Sequence, residues 1–180
     1  MDQAVKNQIE RMFSTMYKAQ GIGLAANQVG LTNRVFVMDV EQSSTRHAAP
    51  CCSDAGCSSG QHDPNEMVIE KGKPIAMINP EILEAGDELT PYNEGCLSLP
   101  DQYAEVIRPD HIKVKYLDLD GKEQVMEADG LTSKCIQHEI DHLNGVLFID
   151  HLSMLKRNTL IRKLTKLKKL EGLEDNRVVL

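Results

Sequence analysis

The chain has 180 residues, 41% apolar and 26% charged, with a formal net charge of −7, which fits one domain over 1–180 with a real core. The acidic balance excludes non-specific DNA binding, which needs a basic face; no apolar run is long enough to span a bilayer, and the acidic start Met1-Asp2-Gln3 is unlike a signal peptide. Five cysteines in irregular spacing suit a reducing compartment better than a disulfide scaffold, so the cytoplasm is the expected location.

Val5, Ile9, Met12, Phe13 and Met16 recur at helical spacing, which predicts an amphipathic helix over 2–19, ended by Gly21. Gly21-Ile22-Gly23-Leu24-Ala25-Ala26 is small and apolar, as expected of tight backbone packing near a turn. Arg34 to Val40 is rich in β-formers and reads as a strand. From Glu41 to Lys73 the composition shifts to Ser, Pro, Gly, His and Cys, so 41–73 reads as a loop insertion. Cys51, Cys52, Cys57, His47 and His62 fall inside it, but their spacing does not match structural zinc pairs, and a surface insertion is expected. Residues 74–83 suggest a second strand. Ile112, Val114 and Tyr116 alternate with Lys113 and Lys115 in a half-buried strand, and Asp120-Gly121 turns into Gln124-Val125-Met126. Asp129-Gly130 opens a helix that Gly145 closes, with Leu131, Cys135 and Ile136 facing inward and Cys135 read as a small core residue. A last helix starts near Ser153. Its stripe Leu160, Leu164 and Leu167 should pack inward, with Lys163, Lys166, Lys168 and Lys169 forming a solvated basic face.

The chemistry concentrates in Gln137-His138-Glu139-Ile140-Asp141-His142. Residues four apart share a helix face, so His138 and His142 can grip one divalent ion. Glu139 stands where it can handle protons without being a ligand. HExxH also arises by chance on solvated helices, and two residues do not close a metal site. Phe148 occupies the place of the third histidine of an extended HExxHxxGxxH pattern and cannot bind metal. Glu171 and Glu174 lie in a charged tail. Cys96, in Glu94-Gly95-Cys96-Leu97-Ser98-Leu99-Pro100, is the better candidate, since a thiolate is a strong ligand for borderline or soft divalent metals.

Three segments together, Gly21 to Gln28, Glu94 to Pro100 and Gln137 to His142, resemble the three signature motifs of peptide deformylases, in that family's order. The likeness runs from about Met12 to Leu170, apart from the insertion. It implies an α+β fold, with antiparallel strands packed around a central HExxH helix and with an N-terminal and a C-terminal helix. It further implies a metal-dependent amide hydrolase that removes the formyl group from N-formyl-methionyl nascent peptides, by attack of a metal-bound water on the formyl carbonyl. Another HExxH metallopeptidase is the alternative.

By the same resemblance Cys96, His138 and His142 hold one divalent ion per chain, usually iron(II), with zinc, nickel or cobalt able to replace it. Glu139 moves the proton, while the Gln28 amide and the Leu97 backbone N–H bind the oxyanion. Gly23, Ile22, Leu131 and Cys135 are the candidates for holding the substrate and its methionine side chain. Transient ribosome contact through the last helix is a further expectation. Two departures stand out. The chain lacks most of the segment that members carry before the first helix, so a shortened form is expected. Tyr103 stands where many bacterial members have an arginine near the peptide groove.

Overall fold

The computed structural model of the chain describes residues 2–46, 67–70 and 72–170. In chain order these form α1 (Gln3–Lys18), β1 (Gly23–Ala25), a 3-10 turn (Ala26–Val29), β2 (Val35–Met38), β3 (Ser43–Arg46), β4 (Met67–Glu70) and β5 (Ile75–Ala85). There follow β6 (Leu89–Cys96), β7 (Leu99–Pro109), β8 (His111–Leu117), β9 (Glu123–Asp129), α2 (Gly130–Leu143), a second 3-10 turn (Phe148–His151) and α3 (Met154–Leu170).

A five-stranded antiparallel sheet, ordered β1-β2-β5-β8-β9, separates α1 from α2. Strand β2 shows why. All four of its residues are buried, as expected when both faces of a strand are covered. Val35 and Val37 pack with Ile9, Met12 and Met16 of α1, while Phe36 and Met38 pack with Cys135, Ile136 and Ile140 of α2. The side chains alternate with a period of two, so one strand feeds two cores. A third apolar cluster joins Leu99 and Val106 of β7 to Phe148, Ile149 and Leu164. This holds the separate β6–β7 hairpin beside α2.

Several local expectations are corrected by the structure. The residue that turns the chain at the end of α1 is Gln20, at φ 56°, and the Gly21 N–H then closes back onto the Met16 carbonyl at 3.0 Å. The 21–26 segment does pack tightly beside the turn at 19–20, and within it Gly23 to Ala25 forms an edge strand paired with β2. The 41–73 insertion is not wholly loop, because β3 and β4 pair antiparallel at its base; its Cys51, Cys52, Cys57, His47 and His62 lie outside the described residues, as do Glu171 and Glu174. Both ends of the insertion are tied to the core by the buried carboxylate of Asp39, which accepts from the Tyr17 hydroxyl at 2.8 Å and from the N–H groups of Gly72 and Lys73 at 2.9 and 3.0 Å. Leu131 is not turned into the core but stands half exposed at the start of α2. The stripe on α3 is packed at Leu160 and Leu164, yet Leu167 remains exposed.

Helix α2 is the element that positions everything else. It emerges from β9 through Gly130 at φ 54°, a left-handed turn that favours glycine. It ends with Gly145 at φ 77°. Its unpaired terminal carbonyls are taken up from outside the helix: Asn27 Nδ2 donates to the His142 carbonyl, and Arg34 Nη1 donates to that of Leu143 at 3.0 Å. Near the other end Gln137 Nε2 donates to the Pro109 carbonyl at 2.9 Å and to Ser133 Oγ at 2.9 Å. These bonds fix the helix in position and in rotation.

Candidate metal centre and cleft

The two histidines project from one face of α2 towards the end of β6, where Cys96 meets them. Cys96 Sγ lies 3.1 Å from His142 Nε2, and the two Nε2 atoms lie 3.2 Å apart. All three donor atoms fall within 4.8 Å of one another. A tetrahedral ion with metal–nitrogen bonds of about 2.0 Å and a metal–sulfur bond of about 2.3 Å needs donor separations of roughly 3.3–3.6 Å. The separations of 3.1 and 3.2 Å are close to the edges of such a tetrahedron, and the chemistry of the set fits a divalent transition metal.

The His138 imidazole is oriented from behind. Glu94 Oε2 lies 2.9 Å from His138 Nδ1, which places the proton there and leaves Nε2 facing the site. Burial would push the Glu94 carboxyl up, but the hydrogen bonds of His138 and Arg108 bring it down to about 2. Arg108 grips it with two bonds, Nε to Oε1 at 2.5 Å and Nη2 to Oε2 at 3.0 Å. Its Nη1 donates to Asp141 at 2.7 Å. Phe148, in the place of a third histidine, instead stacks on the His138 ring with centroids 6.3 Å apart.

Burial also pushes the Cys96 thiol up, yet the hydrogen bonds of His138 and His142 outweigh it and bring it to about 5, so sulfur is present as the thiolate a metal needs. Gln28 Nε2 and the Ser98 N–H approach this sulfur at 3.5 and 3.4 Å. The Gln28 amide is oriented unambiguously. Its oxygen accepts from the Ala25 N–H at 2.8 Å, so its NH2 group faces Ser98 Oγ at 3.0 Å and the sulfur.

Glu139 is buried beside these donors, and its Oε2 has no hydrogen-bond partner among the described residues. Burial raises its carboxyl to about 7, with His138 and His142 partly opposing the rise. A divalent cation bound next to it would lower it further, towards the ionised form that accepts a proton. Gly23 makes room for this carboxylate. A Cβ at Gly23 would collide with Glu139 Oε1 and stand 3.0 Å from Cys135 Sγ.

The donors lie at the wall of a cavity of about 590 Å³. Of the residues assigned to the site from the sequence, all but His142 border it: Gly23, Ile22, Gln28, Cys96, Leu97, Leu131, Cys135, His138 and Glu139. Two contributors were missed by sequence reasoning, Glu94 as the partner of His138, and Arg108. The alternation of Glu94 and Cys96 on one strand face is the signal that could have found the first.

A polypeptide deformylase family model matches residues 1–158. A peptide deformylase of Methylocella silvestris is 46% identical over 177 residues, spanning 98% of this chain and 79% of the relative. Among solved structures, a Legionella pneumophila peptide deformylase superposes with a TM-score of 0.76 at 37% identity, covering 97% of this chain and 86% of that one. A Synechococcus elongatus peptide deformylase in complex with actinonin gives 0.71 at 38% identity, covering 90% and 75%. With sequence likeness of this extent on a shared fold, the chain belongs to the polypeptide deformylase family.

Proposed function

We infer that the chain hydrolyses the formyl amide on the N-terminal methionine of newly made polypeptides. The observation that carries this reading is the convergence of Cys96, His138 and His142 beside the buried carboxylate of Glu139, in a cavity with room for a peptide end. Cys96, His138 and His142 would hold the ion. A divalent metal there supplies Lewis acidity, bringing the ionisation of water near neutral pH and polarising a carbonyl oxygen. A cysteine with two histidines suits iron(II) and zinc alike; we take iron(II) as the resident ion, with zinc, nickel or cobalt able to occupy the same donors.

Glu139 accepts the proton of the attacking water and returns it to the departing amine, a double role open to a buried carboxylate that stands beside the metal donors without being one of them. The Gln28 Nε2 group and the Leu97 N–H donate to the oxyanion that develops on the formyl carbonyl. Gly23 lets the substrate backbone approach, and Ile22, Leu131 and Cys135 form the apolar recess for methionine. A formyl carbon carries only hydrogen, so a close-walled site admits it and rejects larger acyl groups.

Nascent chains arise in the cytoplasm, and we place the protein there; no helix among the described residues is long and apolar enough to cross a membrane. The exposed Lys163 and Lys166 of α3 support transient contact with ribosomal RNA. Co-sedimentation of the Lys163→Glu/Lys166→Glu variant with ribosomes should fall against the parent protein, and equal binding would remove that partner. The function itself is tested by formate release from a formyl-methionyl peptide by anaerobically prepared protein, with metal analysis of the same sample. Formate should appear in step with metal content, and actinonin should suppress it. Internal peptide cleavage without formate would point to a peptidase instead.

A further inference from the structure

The cavity opens past the turn between β6 and β7, where three side chains take no part in the chemistry described above. Tyr103 on β7 stands opposite Gly95 on β6 and lines the cavity while 63% exposed. Its ring lies against the glycine backbone, since a Cβ on Gly95 would stand 2.5 Å from ring atom Cε1 and 2.7 Å from Cδ1. An aromatic surface is thus held at the mouth by the absence of a side chain across the ladder.

Two carboxylates flank it. Asp101 borders the cavity and is exposed, with φ 58° turning the chain just ahead of the tyrosine. Glu105 follows Tyr103 by two residues, so it shares that face of the strand, and it pairs across the ladder with Asn93, another cavity residue. Neither carboxylate has an ion-pair partner among the described residues. Lys134 is the one lysine or arginine among the described residues lining the cavity, and it is buried and bound to Asp110 at 2.6 Å. Among the described residues the mouth therefore offers a π face between two uncompensated negative charges and no free cation.

We propose that this rim selects nascent chains whose residues after the formyl-methionine are basic, by seating an ammonium or guanidinium group on the Tyr103 ring between Asp101 and Glu105. A cation over an exposed aromatic ring is modestly attracted, and an exposed carboxylate adds a comparable amount that salt screens. Together these favour a lysine-bearing substrate over a glutamate-bearing one by roughly 3- to 10-fold in kcat/KM at low ionic strength. The inference rests on the deformylase reading of the same cavity.

The test uses metal-loaded full-length protein and three C-terminally amidated peptides, formyl-Met-Lys-Lys, formyl-Met-Ala-Ala and formyl-Met-Glu-Glu, followed by formate release at low and high salt. The expected order is Lys above Ala above Glu, compressed by salt. Tyr103→Ala should shrink the Lys-to-Glu ratio, while Tyr103→Phe should keep it. Asp101→Asn, in which asparagine tolerates the left-handed φ, combined with Glu105→Gln should shrink the ratio with the ring in place. A wild-type ratio near one, or a ratio that survives both the Ala variant and the amide pair, overturns the specificity while leaving the activity standing. No formate from any of the three peptides overturns the deformylase reading itself.

Discussion

Replacing Glu94 by glutamine should weaken both the fold and the metal site, by amounts set by the pair it breaks. Glu94 and Arg108 are 4% and 5% exposed and are joined by bonds of 2.5 and 3.0 Å. Removing one partner of so buried a pair strands the other charge, at about 3–5 kcal/mol. Asp141 stays bonded to Nη1 at 2.7 Å and still compensates part of the guanidinium, so we expect the low end, about 3 kcal/mol. Total stability is of the order of 5–15 kcal/mol, so the loss is large. In Glu94→Gln/Arg108→Met neither member of the pair remains, and the double variant should be less destabilised than the sum of the singles, by about 2 kcal/mol. Urea unfolding of the metal-free proteins measures the cycle. The pair also orients His138, so the single variant should bind metal about 10- to 100-fold more weakly in a competition assay. The Glu94 carboxyl sits at about 2 against an ordinary 4.5. The stability it contributes is therefore present above pH 4.5 and lost as pH falls towards 2, and the glutamine variant should show a flatter acid limb. A Glu94→Gln protein within 0.5 kcal/mol of the parent and with the same metal affinity would refute the role given to this network, on the scale where surface substitutions fall at about that size.

Four further outcomes follow from the geometry. Gly23→Ala drives a methyl group into the Glu139 carboxylate, so turnover should fall by about 100-fold or more while the ion is retained; normal kcat would show that the carboxylate does not act from this position. Gln28→Ala removes the donor that Ala25 holds in orientation and should lower kcat about 100- to 1,000-fold with little change in thermal midpoint; a change confined to KM would make the amide a ground-state contact instead. Glu139→Ala should keep its metal and lose turnover, while Cys96→Ala should lose the metal. Metal analysis beside formate release separates the two, and the reverse pattern would exchange the assigned roles.

How much of this was legible depended on where each feature is encoded. The helix α1, the strand β2, the β8–β9 hairpin and the caps of α2 are written locally, in periodicity and in turn residues such as Asp120-Gly121 and Gly145, and the three motifs marked the site. The long β6–β7 hairpin was not legible. Pro91 and Gly95 break its strand pattern, its outer face alternates apolar and polar residues without a core to face, and its register depends on pairs such as Gly95 with Tyr103. That omission carried a second one. With Glu94 on a recognised strand, the period of two would have put it on the same face as Cys96, pointing at the histidines. A carboxylate forced into that position is buried and needs a cation, because an unpaired buried charge is too costly to keep. Arg108 supplies it from 14 residues away in sequence, across a ladder no local pattern announces. The catalytic donors could be read from short motifs, whereas the groups that hold them in place become visible only once strand pairing says which side chains share a face.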